Sequence, residues 1–144
     1  MSENSRPVMG AIVHFDLTVD DAPEVRDFYA AVVGWDVDPM PMEGYDDYIL
    51  KSPTTGDPMG GVCHRRGGNS DLPQQWLMYV NVADLGAIVT GVRTLRGKVL
   101  HEAGSYEDGS GYAVIEDPAG AVIALMRQPT PVTPEPKAQV DPAS

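Results

Sequence analysis

The sequence predicts an α+β fold made of two βαβββ modules, because one series of elements occurs twice. The first series covers residues 11–66 and the second covers residues 76–128. Each series has a strand-like run, an Asp-containing turn, a helix-like run that ends at a glycine, and three further strand-like runs. Neither half can bury its own sheet face alone, so the halves must pack together, with a cleft at their junction suited to a ligand.

The first module contains both helix and strand signals. Asp21 can cap a helix, with Glu24 three residues later, and Gly34 ends the apolar pattern of helical spacing. Gly60 and Gly61 indicate a bulge or a close backbone approach in the last strand. The predicted strands cover 11–19, begin at 35–37, and then cover 45–50 and 59–65.

The second module repeats this order. Asp84 caps a predicted helix that ends at Gly97, and residues 117–120 form a four-residue turn with Pro118 at its second place. The predicted strands are 76–82, 98–101, 112–116 and 122–126.

The repeat also predicts the boundaries of one domain over residues 10–128, with module one over 10–66 and module two over 76–128. Residues 1–9 are predicted to be a flexible leader. Residues 129–144 contain five prolines and few apolar side chains, so we expect a disordered tail.

Composition excludes several classes of partner. The net charge of −11 argues against nucleic acid and anionic membranes, and it fits either solubility alone or attraction of a cationic ligand. Cys63 is the single cysteine, so no internal disulfide can form. No signal peptide and no membrane-spanning apolar run is visible, so the predicted location is the cytoplasm.

Four segments of the chain carry a resemblance to a known family by their sequence and their order. They are HFDLTVDDAPEVRDFYAAVVGW, VADL, LRGKVL and EDPAGAVIALM. Together they resemble the vicinal oxygen chelate superfamily, which includes glyoxalases, extradiol dioxygenases, fosfomycin-resistance enzymes and bleomycin-resistance proteins. The resemblance covers about residues 10–128. It implies paired βαβββ modules that form a curled mixed sheet around a cleft, and it implies a homodimer.

The resemblance also allows the metal ligands of these enzymes to be compared with this chain. His14 matches the first-strand ligand, whereas the equivalent position of module two is Leu77 and the last-strand position is Ala124. The fourth position lies within residues 60–64, where Cys63 or His64 could coordinate. At most two ligands of four remain, and a catalytic site needs three. We therefore expect no metal or other cofactor, with His14 as a ligand only if the protein is a metal enzyme.

The period of two along a strand groups the candidate ligand-binding residues. Asp16 and Thr18 share a face with His14, while Tyr79 and Asn81 share a face with Leu77. Further cleft candidates are polar or large apolar side chains elsewhere in the strands. They are Tyr48, His64, Trp76, Tyr112 and Met126.

Three functions remain open from the sequence. The first is a metal-independent protein that binds a small organic molecule in the inter-module cleft, as bleomycin-resistance proteins do. The second is a divergent metal-dependent lyase, isomerase or dioxygenase that uses His14, and the third is a non-catalytic dimeric structural module. Leu77 and Ala124 favour the first over the second, because neither side chain can bind a metal. No nucleophile motif indicates catalytic residues.

Overall fold

A computed structural model describes residues 8–106 and 111–127, and this part of the chain has the two predicted βαβββ modules. The strands and helix of module one are β1 (Ile12–Val19), α1 (Ala22–Val32), β2 (Asp36–Pro41), β3 (Asp46–Lys51) and β4 (Pro58–His64). Those of module two are β5 (Trp76–Asn81), α2 (Leu85–Thr94), β6 (Lys98–Ala103), β7 (Tyr112–Glu116) and β8 (Val122–Met126). The α+β fold class is confirmed.

All eight strands form one open mixed sheet in the order β2-β3-β4-β1-β5-β8-β7-β6. The two modules meet where β1 pairs antiparallel with β5, so that Asp16 lies opposite Leu77. Within each module the first strand pairs in parallel with the fourth, β1 with β4 and β5 with β8. The strand order is therefore symmetric about the junction.

Both helices cover the same face of the sheet. Leu17 packs beneath α1 and lies opposite Trp76 on β5, and Val80 has the same parity as Trp76 and packs beneath α2. The opposite face carries Asp16, Leu77 and the residues that alternate with them. We call it the helix-free face.

Both helices begin at the N-cap residues predicted from the sequence, but one helix ends differently from the prediction. Asp21 Oδ1 accepts a hydrogen bond from the Glu24 amide at 3.1 Å, and Asp84 Oδ1 accepts one from the amide of Ala87 at 3.0 Å. After α1 the left-handed residue is Gly34, as the sequence predicts. After α2 it is Arg96, with φ of 71°, rather than the following glycine.

Gly97 is needed for a different reason, which is close packing. A Cβ atom at this position would lie 2.8 Å from Cγ1 of Val92 and 3.0 Å from the carbonyl oxygen of Glu116. The glycine therefore lets the chain enter β6 directly against α2 and β7.

The linker between the modules is more ordered than a simple connection. It contains a short 3-10 helix at Gly67–Asn69, and the side chain of Leu72 is buried in the cluster that also holds Leu77 and Ala124. Arg65 anchors the linker, since its guanidinium donates to both carboxylate oxygens of Asp20 and to the Leu72 carbonyl. The linker thus covers part of the helix-free face.

The predictions for the two ends of the chain fall mostly outside the described residues, which exclude residues 1–7, 107–110 and 128–144. At the start of the described part, the amide of Gly10 donates to the Asn81 carbonyl at 2.8 Å. Among residues 8–106 and 111–127, neither helix is long and apolar enough to cross a membrane.

Substituting Gly97 with alanine should destabilise the fold by about 1–3 kcal/mol, because the new methyl group meets backbone that cannot move aside easily. Gly91→Ala is the matched control, since a Cβ there meets nothing within 4 Å and alanine favours the helix by about 0.5–1 kcal/mol. Urea unfolding of both variants measures this difference. Equal stability of the two variants would show that the packing at Gly97 is not tight.

Candidate ligand site on the helix-free face

Most of the candidate residues predicted from the sequence lie on the helix-free face. In the register of the sheet, His14 lies opposite Tyr79, Tyr79 lies beside Ala124, and Tyr112 lies opposite Met126. The candidates on this face are His14, Asp16, Thr18, Tyr79, Asn81, Tyr112 and Met126.

Three other candidates have the strand parity of the helix-covered face, although His64, the last residue of β4, still reaches Asp47 with Nδ1 at 3.3 Å from Oδ1. Trp76 Nε1 donates to the hydroxyl of Tyr29 on α1 at 3.0 Å. Tyr48 lies under the guanidinium of Arg26, 4.6 Å from its ring centroid. His64 lies beside Val19 in the register of β1 and β4. Trp76 was predicted to line a pocket because its side chain is large and aromatic. Adjacent strand residues point to opposite faces, so the side chain of Trp76 lies on the other face from that of Leu77.

Two candidates on the helix-free face are buried and support it from within. Thr18 is buried beside Cys63 in the parallel pairing of β1 and β4. The side chain of Asn81 is fully buried and donates from Nδ2 to the Val8 carbonyl at 3.1 Å. Neither side chain is open to a ligand.

A carboxylate and a thiol lie at the centre of the face. Asp16 Oδ1 accepts hydrogen bonds from the Leu17 amide at 3.1 Å and from the Cys63 thiol at 3.4 Å. Its other oxygen, Oδ2, lies 3.7 Å from His14 Nε2. Cys63 points here because it alternates with Val62, which packs beneath α1. The sequence indicated Cys63 only as a possible metal ligand within residues 60–64, and the β1–β4 register reveals that it lies against Asp16.

A second carboxylate, Asp47, flanks the same thiol from β3. Asp47 is buried, and its Oδ1 accepts a hydrogen bond from the His64 amide at 2.9 Å and lies 3.3 Å from His64 Nδ1. No pattern in the sequence signals Asp47, because it is one of a pair of adjacent aspartates on a strand whose register is not predictable locally.

Aromatic rings form a row beside these groups. The ring centroids of His14 and Tyr79 are 5.2 Å apart, those of Tyr79 and Tyr112 are 5.9 Å apart, and those of Tyr112 and His101 are 5.6 Å apart. The row crosses from β1 to β6 and so joins both modules. Such a row presents apolar ring surface on which a planar ligand can pack.

The electrostatics of the site keep its thiol and phenol groups protonated. Burial, followed by the nearby charges of Asp16 and Asp47, raises the pKa of the Cys63 thiol well above its ordinary value. Burial and the charge of Asp16 likewise raise the pKa of Tyr79 and Tyr112. At neutral pH the thiol and both phenols are therefore neutral hydrogen-bond donors.

The register of the sheet identifies the last of the four positions at which related enzymes hold a metal. Module symmetry matches Asp16 with Tyr79, and Ala124 lies beside Tyr79 as Gly61 lies beside Asp16. The four positions are thus His14, Gly61, Leu77 and Ala124, and only His14 offers a donor atom. These residues do not fit a catalytic metal ion. Residues 8–106 and 111–127 contain no cluster of three His, Cys, Asp or Glu side chains arranged to hold a metal.

This fold defines a class of protein. The chain belongs to the Glyoxalase/Bleomycin resistance protein/Dioxygenase superfamily, whose family model matches residues 11–125. The family comparison and the paired modules agree in extent.

Individual relatives are distant. The chain is 27% identical over 111 residues to "Putative glyoxylase CFP32" of Mycobacterium tuberculosis, and the match covers 76% of this chain and 42% of the relative. It is 28% identical over 131 residues to "Anthracycline biosynthesis protein DnrV" of Streptomyces peucetius, covering 83% and 47% respectively. The chain therefore spans less than half the length of these curated relatives.

Solved structures support the fold. Methylmalonyl-CoA epimerase from Mycobacterium tuberculosis matches with a TM-score of 0.51 and 17% identity, over 91% of this chain and 94% of the epimerase chain. Glyoxalase I from Zea mays matches with a TM-score of 0.54 and 19% identity, over 87% of this chain and 45% of the glyoxalase chain. At these identities the likeness concerns the fold alone.

The environment of Cys63 predicts slow reaction of the native protein with a thiol reagent at pH 8, because the reactive thiolate is disfavoured by burial and by two carboxylates. Asp16→Asn should speed the reaction about tenfold if the lost charge lowers the pKa by one unit. Asp27→Asn, an exposed change of equal charge on α1, should leave the rate unchanged. Colour release from Ellman's reagent measures the rates. Fast reaction of the wild-type protein would contradict this account of the site.

Proposed function

We propose that this protein binds a small organic molecule on the helix-free face, across the junction of the two modules, without a catalytic metal ion. The observation that carries this proposal is the replacement of three of four metal-ligand positions by Gly61, Leu77 and Ala124. The same face retains Asp16 and a row of aromatic rings that extends over both modules.

The chemistry of the face favours binding over metal-dependent catalysis. His14, whose side chain is 44% exposed, has one other donor close by, Asp16 Oδ2 at 3.7 Å, so an ion there would have two protein ligands instead of the three that a catalytic site needs. The positions of Leu77 and Ala124 belong instead to an apolar cluster with Leu72 from the linker. A divergent lyase, isomerase or dioxygenase that uses His14 is the less favoured alternative.

The row of rings indicates a ligand with a planar, apolar part. Rings at centroid distances of 5.2 to 5.9 Å offer both edges and faces for packing. One relative is named for anthracycline biosynthesis and another for a glyoxylase, so their names point to small-molecule chemistry. The single free thiol fits a reducing compartment, and we include the cytoplasm in the proposal.

Metal independence can be tested by adding Zn²⁺, Ni²⁺, Mn²⁺ and Fe²⁺ in separate thermal melts of wild-type protein and His14→Ala. A specific ion at 100 times its dissociation constant would stabilise the fold by about 2.7 kcal/mol. We expect no such shift, because Gly61, Leu77 and Ala124 supply no ligand. A stabilisation of that size in the wild-type protein that disappears in His14→Ala, or stoichiometric metal after purification without chelator, would establish the metal-dependent alternative.

We also propose that the protein forms a homodimer, and the outer surfaces of both helices support this. Phe28 and Val32 on α1 are 56% and 64% exposed. On α2, an apolar groove of about 460 Å³ runs along the helix, and Leu95 at its end is 74% exposed. Association would remove this apolar surface from water.

Multi-angle light scattering at micromolar concentration should give about twice the chain mass of 15.5 kDa. The double variant Phe28→Ser, Val32→Ser should shift the mass toward the monomer if α1 lies in the interface, because it removes exposed apolar contacts. Asp27→Asn on the same helix is the control and should remain dimeric. A monomer mass for the wild-type protein would refute the dimer.

A further inference from the structure

The two carboxylates that flank Cys63 each accept hydrogen bonds through Oδ1, and Asp16 is the one that lies beside the aromatic row. Asp47 Oδ1 accepts from the His64 backbone amide. Asp16 Oδ1 is likewise engaged, by the Leu17 amide and the thiol. Asp16 Oδ2 has only the thiol sulfur and His14 Nε2, each at 3.7 Å. The thiol has one proton, which the nearer Oδ1 accepts, and 3.7 Å is too long for a hydrogen bond from the ring. This oxygen is therefore open.

Asp16 also lacks a lysine or arginine partner in the described part of the chain, and its one basic neighbour is His14, whose Nε2 lies 3.7 Å from Oδ2. The lysine and arginine side chains that form ion pairs there have other acids, as in the pairs Lys51 with Asp38 and Arg65 with Asp20. Because the Asp16 side chain is only 17% exposed, water can hydrate its open oxygen only in part. A mostly buried carboxylate with an open oxygen costs stability unless a donor reaches it.

Two tyrosine hydroxyl groups on the same face as Asp16 also lack a hydrogen-bond partner among the described residues. Tyr79 is only 8% exposed, and neither its hydroxyl nor that of Tyr112 has a hydrogen-bond partner among the described residues. Two other tyrosine hydroxyls are engaged, since Tyr29 accepts from Trp76 and Tyr106 donates to Glu102. Tyr79 lies opposite His14 on the strand next to Asp16, and its ring centroid is 5.9 Å from that of Tyr112, so both side chains share the face that carries the carboxylate.

We propose that the open oxygen of Asp16 binds a protonated amine carried by an aromatic ligand, whose polar atoms also reach the hydroxyls of Tyr79 and Tyr112. This inference rests on the proposed function and specifies its ligand class. The amine replaces the donor that Asp16 lacks, and the ring system packs on the aromatic row that begins at His14.

The negative charge of Asp16 favours an amine over other polar groups as the part of the ligand that binds it. A neutral alcohol can donate to Asp16, but its hydrogen bond has one charged partner instead of two and is weaker. A carboxylate ligand would place a further negative charge against Asp16 and Asp47, and no lysine or arginine is paired to Asp16 in the described part of the chain. The net charge of −11 adds a long-range attraction for cations.

The test uses three probes with the same naphthalene ring, namely 1-naphthylmethylamine, 1-naphthalenemethanol and 1-naphthoic acid. Dissociation constants at pH 7 are measured by calorimetry. We expect the amine to bind about tenfold tighter than the alcohol, and the acid to bind more weakly than both. Asp16→Asn should remove this preference. It should change the dissociation constant of the alcohol by less than about threefold, because asparagine keeps an acceptor for the Leu17 amide. Asp27→Asn, with the same change in net charge, should keep the preference.

The outcomes separate this inference from the proposed function. Equal affinity for all three probes would overturn the amine assignment and leave the binding function standing. Failure of all three to bind the wild-type protein would overturn both. A preference that persists in Asp16→Asn would place the amine elsewhere and overturn the assignment to Asp16.

A measurement on the wild-type protein keeps the inference testable if Asp16→Asn does not fold. The methylene protons of the bound amine should show nuclear Overhauser effects to the rings of His14 and Tyr79. Effects only to the groove beside α2, for example to Leu95, would overturn the assignment.

Discussion

The antiparallel pairing of β1 with β5 is the constraint on which the rest of the structure depends. It joins two modules that are each half of a sheet, and it fixes which side chains meet at their junction. Because His14 lies opposite Tyr79 and Asp16 opposite Leu77, residues from both modules share one face within a single chain. The candidate site therefore draws its residues from both modules of one chain.

The alternation of side chains along each strand then determines which face of the sheet each residue occupies. One face of β4 carries Gly61 and Cys63, and the other carries Gly60 and Val62 under α1. A shift of one residue would exchange these sets, so register is held by the buried apolar residues beneath the helix. The same parity puts Cys63 against Asp16 and leaves the metal-ligand position of module one without a side chain. The β1–β4 register thus accounts both for the glycine beside Asp16 and for the contact of Asp16 with Cys63.

The helix-free face is divided into a packed apolar part and a part with open polar groups. In module two it is closed by Leu72 from the linker, which packs with Leu77 and Ala124. Around Asp16 it keeps an open carboxylate oxygen and two hydroxyls without partners in the described chain, an arrangement that lowers stability. Polar groups of this kind are tolerated where a bound molecule can complete them.

The sequence by itself determined the paired modules, the helix caps at Asp21 and Asp84, and the family, because these depend on local patterns and on a repeat visible in one dimension. It also showed that Leu77 and Ala124 cannot bind a metal. Only the tertiary structure decided that Trp76 and Tyr48 belong to the helix-covered face, that Gly61 is the fourth ligand position, and that Cys63 is flanked by Asp16 and Asp47. The physical reason is that strand register is set by packing between segments far apart in the chain, and no local pattern encodes which residues of two strands lie side by side.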